Sequence, residues 1–77
     1  NTNAMALIHK NKSLNMIDTI NSSLDNSPES RETLEQTGLD SELINDYMRF
    51  VQRSKEFLGM IASQIQAAPD TQPQGDQ

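Results

Sequence analysis

The chain has 77 residues, a net charge of −5 and no cysteine. This length supports a single small domain, whose core is marginal unless a disulfide, a metal or a second subunit supplements it. Without cysteine, neither a disulfide nor a thiolate metal site is available. There is one histidine, His9, and there is no glycine-rich phosphate loop. We therefore expect no enzyme activity, no cofactor and no metal site.

The distribution of charge argues against several classes of partner. Residues 25–46 carry most of the acidic charge, and residues 47–66 carry a small positive excess. General binding to nucleic acid or to an anionic membrane needs exposed Lys and Arg, so nucleic acid is not the expected partner. No apolar run reaches the ~20 residues of a membrane span, and none follows a basic start as in a secretion leader. We expect a cytoplasmic protein.

A first helix is predicted from about residue 6 to residue 24. Its apolar residues recur at heptad spacing, while Lys10 and Asn21 occupy positions in the same seam. Residues 1–5 precede this pattern, and Met5 has the character of an initiator. We expect residues 1–5 to be a cloning remnant or a disordered start.

A short second helix is predicted from Pro28 to Gln36. Ser27 is a favourable N-cap, and proline is favoured at the first helical position that follows. Thr37 and Gly38 have the character of a helix end. The second helix should therefore connect the first helix to a third.

The third helix is predicted from Asp40, as its N-cap, to Ala68. Leu39 is spaced to pack on Ile44 as a hydrophobic staple, and no proline interrupts the pattern before Pro69. The polar residues from 69 to 77 are expected to form a disordered tail. The single helical domain should therefore span residues 6–68.

Two apolar rows run side by side along the third helix. The first row is formed by Leu43, Tyr47, Phe50, Phe57 and Ile61. The second row is formed by Ile44, Met48, Val51, Leu58 and Ile65. Together they make a face that is broader and longer than the predicted first helix can cover, so we expect a partner to contact it. The predicted partner interface consists of Leu43, Tyr47, Phe50, Val51, Phe57, Leu58, Ile61 and Ile65.

Ser54 and Lys55 interrupt both rows at their middle. Two interpretations are open. The residues form a polar layer that fixes helix register or oligomeric state, or Lys55 extends to the edge of the seam while Ser54 faces a crowded crossing.

The segment from Thr33 to Asn45 resembles the turn of phage-repressor helix-turn-helix proteins. Gly38 matches the glycine of the turn and Leu39 the apolar residue after it. The buried positions of the second helix are matched by Ile44 and Tyr47. The resemblance implies a DNA-binding regulator. The helix that would enter the groove begins with carboxylates, which phosphate repels, so this reading is an alternative.

The sequence thus predicts an all-α fold, a hairpin of two long antiparallel helices with a short connecting helix, completed by oligomerisation. The expected function is a non-enzymatic interaction or regulatory module that forms a homo-oligomer, a dimer or higher, or docks on a helical protein partner. A further alternative is an acidic co-chaperone or assembly subunit of a bacterial secretion system, which the chain resembles in size, acidity and hairpin shape.

Overall fold

The computed structural model of the protein describes residues 2–69, with side chains from Ala4 onward. Within this part of the chain there are three helices and no strand: α1 (Thr2–Ser23), α2 (Pro28–Gln36) and α3 (Ser41–Ala67). The prediction of an all-α hairpin is confirmed. Of the predicted tail, residues 70–77 lie outside the described residues.

Helix α1 begins earlier than predicted. It starts at Thr2, so residues 2–5 are helical and do not precede the helix. No glycine or proline interrupts this stretch, and Ala4 and Met5 are good helix formers. The 22 residues of α1 and the 27 residues of α3 span about 33 Å and 40 Å at ~1.5 Å per residue. The overhang of α3 is therefore smaller than the sequence predicted.

The boundaries of α2 agree with the prediction. The Ser27 hydroxyl accepts a hydrogen bond from the backbone N–H of Ser30 at 3.2 Å, and Pro28 follows as the first helical residue. The helix ends at Gln36, and Gly38 then adopts φ +87°, where an L side chain is strained. The chain can therefore turn within a few residues between α2 and α3.

The start of α3 also follows its predicted cap. The Asp40 carboxylate accepts from the backbone N–H of Glu42 at 3.1 Å. Leu39 and Ile44 line the same groove, as the predicted hydrophobic staple requires.

Two lysine side chains define the antiparallel register of α1 and α3. Lys10 Nζ donates to the carbonyl of Ala68 at 3.0 Å, and Lys55 Nζ donates to the carbonyl of Leu24 at 3.3 Å. A residue i of α1 therefore faces residue 78 − i or 79 − i of α3. Helix α2 packs beside α3 as well. The resulting body measures 57 × 17 × 14 Å.

The core lies between α3 and the two other helices. Among the described residues, Ile44 and Val51 are the completely buried hydrophobic side chains. Met48, Leu58 and Ile65 continue the second row along α3 and are half-buried. The second row is thus the side of α3 that the hairpin uses for its own folding.

Candidate partner-binding surface

The first row lies on the outside of the hairpin. Leu43, Phe50 and Phe57 each immediately precede a residue of the second row, and consecutive helical residues point about 100° apart. When the second row turns inward, the first row must therefore turn away from the core. Leu43, Tyr47, Phe50 and Phe57 are between 43% and 62% exposed.

The predicted interface residues accordingly divide into two groups. Leu43, Tyr47, Phe50 and Phe57 are exposed, and Ile61 is half-buried in line with them. Leu58 and Ile65 are half-buried members of the second row, and Ile65 also borders a surface groove.

Val51 does not belong to the surface. It is completely buried, because α1 and α2 cover the face of α3 on which it lies. A partner could contact Val51 only if the hairpin opened.

Two exposed residues extend the surface beyond the prediction. Met60 is 63% exposed and lies three residues after Phe57, while Leu39 is 44% exposed just before α3. In the sequence, Met60 follows Gly59 outside both rows, and the pattern predicts for Leu39 only the staple contact with Ile44. Helical spacing from Phe57 is the signal that would have found Met60.

Two open apolar grooves lie at the ends of the first row. The N-terminal groove, of about 280 Å³, is lined by Leu34, Leu39, Leu43, Ile44 and Tyr47. The C-terminal groove, of about 480 Å³, is lined by Phe57, Met60, Ile61, Gln64, Ile65 and Ala68. The first groove lies between α2 and α3, whereas the second is lined by α3 and its C-cap residue alone. Helix α2 therefore borders the N-terminal half of the first row and not its C-terminal groove.

Charged side chains border the first row along one side. Asp46 and Arg53 are seven residues apart and so lie on the same side of α3, and both are exposed. Asp46 forms an ion pair with Arg49 within the helix. From residue 57 to residue 69 there is no charged side chain. The surface is thus charged towards its N-terminal end and uncharged at its C-terminal end.

The polar pair in the middle of α3 has two different positions. Lys55 is half-buried, and its hydrogen bond to the carbonyl of Leu24 joins α3 to the end of α1. Ser54 is half-buried too, and it leaves a small side chain in the first row between Phe50 and Phe57. Lys55 therefore acts within the hairpin, while Ser54 shapes the exposed surface.

The turn between α1 and α2 holds a separate polar arrangement. Hydrogen bonds from the side chain of Ser30 and from the backbone and side chain of Ser27, with the charge of Lys55, hold the pKa of Asp25 below its usual range. The backbone N–H of Ser27 donates to the Asp25 carboxylate at 2.9 Å. These contacts order the turn, and Asp25 is exposed at its edge.

Within residues 2–69, no group of three His, Asp or Glu side chains is placed to hold a metal ion. No helix in the described part of the chain combines the length and apolarity needed to cross a membrane. The fold and the surface together define a small all-α hairpin with an exposed apolar row. Comparison with protein-family models, curated proteins and solved structures found no match.

Proposed function

We propose that this protein is a non-enzymatic recognition module that binds a helical protein surface through the first row of α3. The observation that supports the proposal is the exposure of four large apolar side chains along one side of a single helix. The two apolar grooves extend this surface at both ends.

The size of the surface supports this proposal. Leu43, Tyr47, Phe50, Phe57 and Met60 are each roughly half exposed or more. At about 200 Å² for a complete large side chain, they leave on the order of 550 Å² of apolar surface in water. Patches at this upper end of what monomeric proteins expose commonly mark interaction sites.

The shape of the surface favours a helix as the bound element. From Leu43 to Ile61 the first row extends about 27 Å along α3 at ~1.5 Å per residue. It is one residue wide, with grooves rather than a deep pocket. A long, narrow apolar row of this kind accepts the apolar side of another helix.

The proposal is tested with a variant of the first row and a matched control. Phe50→Asp with Phe57→Asp places two charges on the proposed surface, whereas Ser63→Asp places one on another exposed face of α3. All three positions are exposed, so circular dichroism should show unchanged helix content at low protein concentration.

Binding is then measured by sedimentation velocity and by saturable capture of protein from cell extract. We expect the wild type to bind by at least one of these measures, the first-row variant to lose that binding, and Ser63→Asp to keep it. Equal binding by the wild type and the first-row variant would show that the first row is not the recognition surface.

A further inference from the structure

We infer that the partner on the first row is a second copy of this chain, packed with its α3 antiparallel to the α3 of the first copy. This inference rests on the proposed function, because it names the occupant of the same surface. The small core of the hairpin, the area of the first row and the distribution of charge support it.

The small core shows that one hairpin is an incomplete domain. Within the described residues α1 and α2 each pack on α3, and Ile44 and Val51 are the completely buried hydrophobic side chains. A single layer of helices can bury only the side that faces its neighbour within the layer, whereas stable domains pack two layers over one core. A second hairpin placed on the first row would supply the second layer and produce a bundle.

The area of the first row matches what a dimer needs. A standard interface buries about 800 Å² on each partner. The exposed apolar side chains of the first row and Met60 supply on the order of 550 Å² of this area, and flanking residues such as Asp46 and Arg53 supply the rim. Because a two-fold interface uses the same patch on both copies, one apolar row is sufficient.

The distribution of charge along α3 selects the antiparallel orientation. The N-terminal end carries the carboxylates of Asp40 and Glu42, followed by the Asp46–Arg49 ion pair, whereas residues 57–69 carry no charge. A parallel pair would place the carboxylates of one copy beside those of the other, and like charges at a contact are unfavourable. An antiparallel pair places each acidic end beside the uncharged end of the other copy.

The position of α2 gives the same orientation. In each copy α2 borders the N-terminal groove, and the C-terminal groove is formed by α3 and its C-cap residue alone. In an antiparallel pair, the N-terminal groove and α2 of one copy meet the open C-terminal groove of the other. A parallel pair would instead bring the two α2 helices together and leave both C-terminal grooves without a neighbour from α2.

Ser54 fixes the register of this pair. A bulky side chain packs best into a space left by a small one on the facing helix. Placing Phe50 of each copy against Ser54 of the other makes residue i face about residue 104 − i. Tyr47 then meets Phe57, and Leu43 meets Ile61, so the large residues of the first row pair without a gap.

Spin labels distinguish the orientations, and the absence of native cysteine makes the labelling specific. Glu42→Cys alone should give a label separation of about 30 Å in the antiparallel dimer, from twenty residues at ~1.5 Å each. A mixture of Glu42→Cys and Gln64→Cys chains should give a separation near the ~10 Å distance between packed helices, because these positions nearly face each other.

The oligomeric state is measured in parallel by sedimentation velocity from about 5 to 200 μM. We expect a dimer whose dissociation constant rises at least tenfold in Phe57→Asp and in the milder Phe57→Ala, and stays unchanged in Ser63→Asp. Circular dichroism checks that each variant retains its helices.

The contrary outcomes separate the two proposals. A short separation in the Glu42→Cys sample would overturn the antiparallel arrangement. A single-subunit mass at every concentration would overturn the second copy as the occupant. In that case the proposed function still stands if the variant carrying Phe50→Asp and Phe57→Asp loses capture of another protein, and it falls if capture is unchanged.

Discussion

Phe50 and Val51 are neighbours in sequence but belong to different rows, and this allows each row to be tested separately. Val51 is completely buried, whereas Phe50 is 62% exposed. Val51→Ala removes two methyl groups from the core, which should cost about 2 kcal/mol once the remaining cavity is included. Phe50→Ala loses a larger side chain, but only about two-fifths of it contacts its own hairpin, so the expected cost is about 1 kcal/mol.

The expected order of the two costs is therefore the reverse of the order of side-chain size. Urea denaturation followed by circular dichroism measures both, at a concentration where sedimentation shows one subunit. Alanine improves helix propensity at both positions, which shifts the two results in the same direction. A single core in a chain of this size supplies roughly 3–5 kcal/mol, so losses of this size are a measurable fraction of the total.

Raising the protein concentration should change only the result for Phe50. On the same scale, the exposed three-fifths of its side chain is worth at most about 2 kcal/mol per copy when a second subunit covers it. The cost of Phe50→Ala should therefore rise with concentration, while that of Val51→Ala stays constant. A larger loss for Phe50→Ala in the single subunit would show that the first row packs inside the hairpin, and the assignment of the rows would be wrong.

Three further predictions address the hairpin and the DNA-binding alternative. Lys55→Met should lower the free energy of unfolding by about 1 kcal/mol, because a carbonyl at the end of α1 loses its charged donor. The control Lys12→Met, on the exposed side of α1, should change the free energy of unfolding by less than about 0.5 kcal/mol in the same urea denaturation assay. Asn21→Leu should raise the free energy of unfolding by about 1 kcal/mol, since the buried side-chain oxygen of Asn21 has no hydrogen-bond partner. A loss of stability in this variant would show that the amide is needed. In a filter-retention assay at about 150 mM salt, the wild type should retain duplex DNA no better than other acidic proteins do. The double variant Glu42→Lys with Asp46→Lys should increase this retention. Sequence-specific, sub-micromolar DNA binding by the wild type would favour the helix-turn-helix alternative.

The ends of α2 and the start of α3 could be predicted from the sequence because they depend on local chemistry. Ser27 and Asp40 accept hydrogen bonds from backbone N–H groups only two or three residues away. Gly38 provides the positive φ that the turn needs. Each of these signals lies within a short window of the chain and is independent of tertiary contacts.

The choice of inner row could not be predicted in the same way. The two rows have the same spacing and nearly the same apolarity, and they lie about 100° apart on one helix. Which row turns inward depends on where α1 and α2 pack, and that is a property of contacts between residues distant in sequence. For this reason the sequence pattern predicts Val51 in the partner interface, although the hairpin buries it completely.

Lys10 and Lys55 interrupt the apolar pattern of their own helices because each binds a carbonyl at the end of the other helix. Neither α1 nor α3 has a basic residue in its own last turn, where a cation would favour the negative end of the helix dipole. Lys55 supplies that cation to the end of α1, and Lys10 supplies it to the end of α3. This exchange is possible only when the helices are antiparallel, because in a parallel pair each lysine would lie far from the C-terminal end of its neighbour. Lys10 and Lys55 therefore interrupt the apolar seam at the two positions where the antiparallel register gives each of them a carbonyl to bind. In this register the second row faces the hairpin and the first row lies outside.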